Sequence, residues 1–190
     1  MSTFKLPVFA LLITFSLNAV AAEEVVKKNE KTLVQNVWNK DLDELKIKLP
    51  LMKKNDFVHS RCPMGLTILH HASVIANIPM LEFIVQNWLA HKLDLDELAG
   101  RKGSSPAHSA LQLLSKNTPE VLRVLKESGA TCDIQRGIDM KTPLDIVESE
   151  IALRLVQLKS KRYQDDKLLN IESELSILYE CKKILESAPK

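Results

Sequence analysis

The chain has 190 residues, 45% of them hydrophobic, with 26 basic and 24 acidic residues and a formal net charge of +2. That length fits one domain, and the near-balance of charge argues against a nucleic-acid binder, which carries a basic face. Aromatic content of 5% and only 5 glycines argue for packed helices and against a sandwich or barrel.

At the N-terminus Lys5 precedes an apolar run from Leu6 to Val20, and Ala19-Val20-Ala21-Ala22 offers small residues for cleavage. This is the pattern of a secretory signal peptide over residues 1–22, shorter than a membrane span. The alternative is an uncleaved N-terminal anchor. No Cys lies near the cut, so a lipid anchor of the bacterial lipoprotein kind is not expected. The mature chain is expected to be soluble and periplasmic, or else secreted, with no stable membrane insertion, because no second apolar stretch approaches membrane length.

Thr32-Leu33-Val34-Gln35-Asn36-Val37-Trp38 opens a first helical run, and Leu42 to Leu49 a second. Asn55 to Met64 reads as a connecting arm. Gly65 can take the geometry of a tight turn, and Thr67 can then cap a helix running to about Ala76. Asn77 caps the next helix, with Pro79 in its first turn and Leu81, Ile84 and Val85 as its buried stripe. A second arm, Trp88 to Lys102, carries Asp94, Asp96 and Glu97 before Arg101 and Lys102. Gly103-Ser104-Ser105-Pro106-Ala107-His108-Ser109-Ala110 then repeats the turn-and-helix pattern. Its first helix is predicted to extend through Gln112 to Lys116, and its second, Thr118 to Ser128, stops at Gly129-Ala130. A third arm, Asp133 to Lys141, carries Arg136 and Asp139, and Thr142-Pro143-Leu144-Asp145 opens another helix. Glu148 to Lys161 continues helical, with Ile151, Leu155 and Leu158 on one face. Arg162 to Lys167 is a polar break, with Asp165-Asp166 as a solvated turn. Leu168 to Ser187 is a final helix whose stripe runs Leu168, Ile171, Leu175, Leu178, Cys181 and Leu185. That stripe can cap the last hydrophobic face of a repeat array, or alternatively form a coiled-coil dimer seam.

The helix starts recur at Thr32, Thr67, Ser105 and Thr142, spaced 35, 38 and 37 residues. Thr67-Ile68-Leu69-His70-His71-Ala72 and Ser105-Pro106-Ala107-His108-Ser109-Ala110 resemble the ankyrin signature Thr-Pro-Leu-His-x-Ala. The resemblance covers roughly Lys31 to Leu158, and the excess over the family period of ~33 falls in insertions. It implies an all-α solenoid of about four helix-turn-helix units over residues 23–161, closed by a C-terminal capping helix within 162–190. In that family the signature His ties the helix start to neighbouring backbone, so His70 and His108 are expected to be structural. Partner contacts lie on the turn tips and on the concave face of each first helix. Mapped here, those positions are Leu66, His71, Val74 and Ile75 in one repeat and Ser104, Ser109, Gln112 and Leu113 in the next. Arg61, Arg101 and Arg136 on the arms complete the expected partner-binding set. Val74 and Ile75 read as an exposed apolar binding patch, unless a neighbouring arm or the C-terminal helices cover them.

Three cysteines in an exported chain raise the question of a disulfide. On the repeat alignment Cys62 and Cys132 precede helix starts two repeats apart. At ~8–10 Å per helix layer that is too far for a bridge. A bridge from Cys181 to either one stays open. His59, Cys62, His70 and His71 do not match zinc spacings. No Gly-x-Ser-x-Gly elbow, phosphate-cradling Gly loop or His-Glu-x-x-His motif occurs.

Ankyrin stacks bind proteins and rarely catalyse, so the resemblance implies a non-enzyme that needs no cofactor or metal and is monomeric when free. For an exported bacterial member it implies an immunity protein that inhibits a cognate antibacterial toxin, such as a type VI secretion lipase effector, by occluding its active site. The alternatives are a periplasmic helper of a catalase or other enzyme, a secreted host-directed effector, or an unrecognised hydrolase.

Overall fold

The computed structural model describes residues 33–160 and 165–187. The expected signal peptide, Thr32 and residues 161–164 of the polar break lie outside the described residues. Within them the regular structure is helical, and β-pairing is limited to two isolated antiparallel bridges, Arg61 to Thr67 and Ala99 to Ser104.

Residues 33–38 form α1. There follow α2 (Leu42–Lys48), a 3-10 turn (Leu49–Leu51), α3 (Lys54–His59), α4 (Ile68–Ile75) and α5 (Ile78–Ala90). The chain continues with α6 (Pro106–Ala110), α7 (Thr118–Glu127), α8 (Pro143–Lys159) and α9 (Asp165–Glu186). The starts follow from local chemistry. Asn77 accepts the Met80 N–H at 3.3 Å, which satisfies one orphan donor of α5, and Pro79 occupies a position with no N–H to lose. At α8, Thr142 and Asp145 exchange side-chain-to-backbone bonds of 3.1 and 2.8 Å, a reciprocal cap. α7 ends at Glu127 and is stopped by Gly129, with φ of 105°, where the Ala130 N–H returns to the Leu125 carbonyl at 3.0 Å.

α4 packs on α5 and α6 on α7; in turn α4 packs on α6, and α5 on α7. The core between the helices holds Leu69, Ile84, Trp88, Leu122 and Leu125, all fully buried. Burial of each such aliphatic side chain contributes about 2 kcal/mol. α9 lies across α7 and α8 and buries Ile171, Leu175, Leu178 and Cys181. The stripe considered as a dimer seam is therefore spent inside the chain, while Leu169 and Tyr179 face outward. Lys126, only 7% exposed, points its ammonium at the Ile184 and Leu185 carbonyls at 2.9 and 3.1 Å and at the Ser187 carbonyl. A cation there meets the negative end of the α9 dipole. Arg123–Glu180 at 3.0 Å and Lys182–Glu148 at 2.7 Å add ion pairs across the same junctions.

Four local expectations are corrected. The arm from Asn55 to Met64 contains most of α3, because Phe57 is buried edge-on against Trp88, with ring centroids 5.9 Å apart. α6 does not extend through Gln112; it ends at Ala110, and residues 111–117 form a loop in which Ser115 N–H is held by the Thr118 hydroxyl at 2.9 Å. In α8, continuous from Pro143 to Lys159, the expected buried face of Ile151, Leu155 and Leu158 divides: Ile151 is buried, Leu158 half-buried and Leu155 exposed. Asp165 and Asp166 open α9 and do not form a turn. Cys62, Cys132 and Cys181 are free thiols.

Candidate functional site

The site begins with the connections between successive turns. His70 is fully buried; its Nδ1 meets the Thr67 hydroxyl at 2.7 Å and its Nε2 the Ser104 carbonyl at 2.8 Å. The Ser104 carbonyl can only accept, so Nε2 carries a proton; the Thr67 hydroxyl can donate to an unprotonated Nδ1, the pattern of a neutral ring. Burial accordingly pushes the His70 pKa down to about 4. One repeat later His108 does the same. Its Nδ1 faces the Ser105 hydroxyl at 2.8 Å and the Ser105 N–H at 3.2 Å, and Nε2 reaches the Lys141 carbonyl at 2.8 Å. Burial lowers its pKa as well. Each imidazole thus joins the start of its own helix to the turn of the following unit. In the third unit Asp145 replaces the His and stays within its own cap.

Buried carboxylate and backbone bonds extend the same frame. Asp96 accepts the Thr131 and Cys132 N–H groups at 2.6 and 3.2 Å, which holds Cys132 at a φ of 57°. The Gly100 N–H donates to the Gly65 carbonyl, and the Gly137 N–H to the Gly103 carbonyl, both at 3.2 Å. Gly100 has φ of 74°, which an L side chain rarely adopts, and a Cβ there would lie 2.8 Å from a Leu66 methyl, which would have to shift.

Between these turns is a groove of about 380 Å³. Met64, Leu66 and Ala99 give it apolar walls, Ser104 and Gln112 polar ones, and Arg101 and Lys102 a cationic rim. A second hollow of about 350 Å³ lies between the loop after α6 and helices α8 and α9, and Gln112 borders both. Leu113 and Leu114 line it, and Arg154 closes one end, paired with Glu150 at 3.2 Å and Glu174 at 2.5 Å.

The expected partner-binding residues divide accordingly. Leu66, Arg101, Ser104 and Gln112 come together in the first groove, and Leu113 in the second hollow. The expected exposure of His71, Val74 and Ile75 is corrected: His71 and Val74 are buried and Ile75 is half-buried. The reason is that α4 is enclosed almost all round, with every residue from Ile68 to Val74 buried. Trp38 lies edge-on to His71, with centroids 5.8 Å apart. Arg61 supports its own hairpin, donating to the Val58 and Gly65 carbonyls at 3.1 and 3.2 Å and pairing with Glu97. Arg136 pairs with Asp139 three residues on. Met64, Ala99 and Lys102 were not singled out by the sequence pattern, because nothing local marks them as sharing one hollow. Among the described residues no group of three or more His, Cys, Asp or Glu side chains is arranged to hold a metal ion. Nor is any described helix long and apolar enough to cross a membrane.

The Asn36 amide nitrogen, His71 Nε2, Ser104 Oγ and Ser109 Oγ are buried without a hydrogen-bond partner among the described residues. Asn36, His71 and Ser109 occupy the same register, four residues after Thr32, Thr67 and Ser105. Neither a protein-family model nor a curated protein matches the chain.

Proposed function

We propose that the helix pairs form an ankyrin-type solenoid, exported by the N-terminal segment, that works as a protein-binding module. Its task is immunity: it holds a cognate secreted antibacterial toxin, such as a type VI secretion lipase effector, and covers the active site. The observation that carries this reading is the groove between the two hairpin turns. It has apolar walls and, among the described residues, free polar groups and unpaired cations, and it stands on turns coupled by buried histidines, which favours a geometry set before a partner arrives. Preorganisation of this kind suits one dedicated partner. Binding here would also place the bulk of the helices over the toxin surface.

The test is made in a cell with the toxin encoded beside this gene. The full chain should be exported, co-purify with the toxin from the periplasm and restore growth. Leu113→Asp, an exposed position lining the second hollow, should lower protection without lowering the melting temperature. A neighbouring toxin that kills cells regardless of the exported protein refutes immunity. Binding to a neighbouring catalase would place the module in the helper class instead.

A further inference from the structure

The groove carries a more specific chemistry than protein binding in general, and assigning it a guest rests on the proposed binding role. The acidic groups of the surrounding loops are committed. Asp94 accepts the Asp96 N–H at 2.9 Å, Asp96 holds the Thr131 and Cys132 N–H groups, Glu97 pairs with Arg61, and Asp139 pairs with Arg136. Asp133 does not line the groove. Arg101 and Lys102, in contrast, are exposed at the tip of the second hairpin with no ion-pair partner among the described residues. The rim therefore carries two uncompensated positive charges although the chain as a whole is nearly neutral.

Directly below that rim the walls are apolar. Met64 is 58% exposed, and Leu66 and Ala99 continue its surface inward. Ser104 also lines the hollow; it is only 2% exposed, and its hydroxyl has no partner. A buried hydroxyl without a partner costs free energy unless something bonds to it. Cations at the rim, an apolar wall and a waiting hydroxyl together match one kind of guest.

We infer that the groove between the first and second hairpin turns receives an acidic–aliphatic segment of a protein partner. An aliphatic side chain lies between Met64 and Leu66, an adjacent Asp or Glu carboxylate meets Arg101 and Lys102, and the segment's backbone bonds to Ser104 and Gln112. The charges speed encounter and select against basic segments, while the apolar wall holds the complex once formed.

The test is a displayed library of random short peptides, selected on the full-length protein purified after expression and export. Recovered peptides should share Asp or Glu next to Leu, Ile or Val. A peptide carrying the recovered motif should bind about tenfold or more weakly to Arg101→Glu/Lys102→Glu than to the parent, and the loss should shrink as salt is raised. Both groups are exposed, so the variant should keep the parent's melting temperature. Ser104→Ala should weaken the same peptide without altering its charge preference. Recovery of basic or purely apolar peptides, failure to enrich any peptide, or equal binding by the charge-reversed variant overturns the inference. These outcomes are separable from the immunity reading. A toxin that still binds and is neutralised by the charge-reversed variant, but not by Leu113→Asp, leaves the binding role standing and removes this groove chemistry.

Discussion

The buried histidine that joins two turns should make the fold acid-labile in a way a single substitution can isolate. His70→Ala removes the ring, leaves the Ser104 carbonyl and Thr67 hydroxyl without that partner, and opens a cavity. At neutral pH the loss is about 3 kcal/mol, combining the unmet hydrogen bonds with the lost packing. Acid removes the difference. The folded-state pKa of His70 is lowered from 6.5 to about 4, so the unfolded chain takes up the proton first. The stability that His70 contributes is fully present above pH 6.5 and falls away as the pH drops towards 4. A shift of that size is worth about 3 kcal/mol, so near pH 4 the parent should have lost what the His70→Ala variant never had. Urea unfolding of both proteins across this range measures the difference directly. The carboxylates and the other buried histidines, His71 and His108, titrate in both proteins and cancel to first order. Parallel stability curves for parent and variant, with no convergence below pH 6.5, would show that His70 is not held neutral between the turns.

Other outcomes follow from burial and backbone geometry. Val74→Asp with Ile75→Asp should unfold the protein or lower its stability by at least about 3 kcal/mol, since it places a carboxylate in the enclosed face of α4; an unchanged thermal melt would refute that placement. Gly100→Ala should cost about 2 kcal/mol, from its positive φ and the contact with Leu66, and denaturant unfolding with no loss would mean that the turns can part freely. Burial pushes the Cys132 and Cys181 thiols up to about 12, so in the folded protein at pH 8 a thiol-specific reagent should label half-buried Cys62 well before either; peptide mapping that finds all three labelled at one rate argues against the packing of α9.

Helix starts were the legible part of the fold. Asn77, Ser105 and Thr142 signal them because capping is settled by residues a few positions apart, whereas Thr67 holds the N-cap position of α4 but turns its hydroxyl to His70 instead of capping the backbone. The long α8 and the short α6 were not legible in the same way. In α8, Glu148 and Ser149 interrupt the apolar pattern without interrupting the helix, because the helix needs a buried stripe only where α9 crosses it. In α6, Gln112 to Lys116 have ordinary helix formers among them, yet the chain turns at Leu111 and the caps of α7 take the backbone instead. Phe57 drew the supposed arm into α3 through a contact with a Trp more than thirty residues away, which no local pattern encodes.

The site divides along the same line. Positions set by the turn itself, Leu66 and Ser104, fall in the groove where the repeat register put them, since the hairpin bridges fix their surroundings; Arg101 joins them from the arm. Positions on the first helix could not be placed that way, because their exposure depends on what lies beside that helix. His71 and Val74 are in register with Ser109 and Gln112, yet only Gln112 is open. The difference lies in the neighbours: α4 has a partner on each side, Trp38 among them, whereas α6 stops after five residues and leaves the following loop uncovered. Shortening α6 thus moves the accessible surface from the helix faces to the hairpin tips and to Gln112 and Leu113. The open surface at Gln112 and Leu113 is reached by ending one helix early, with the buried histidine links between turns left intact.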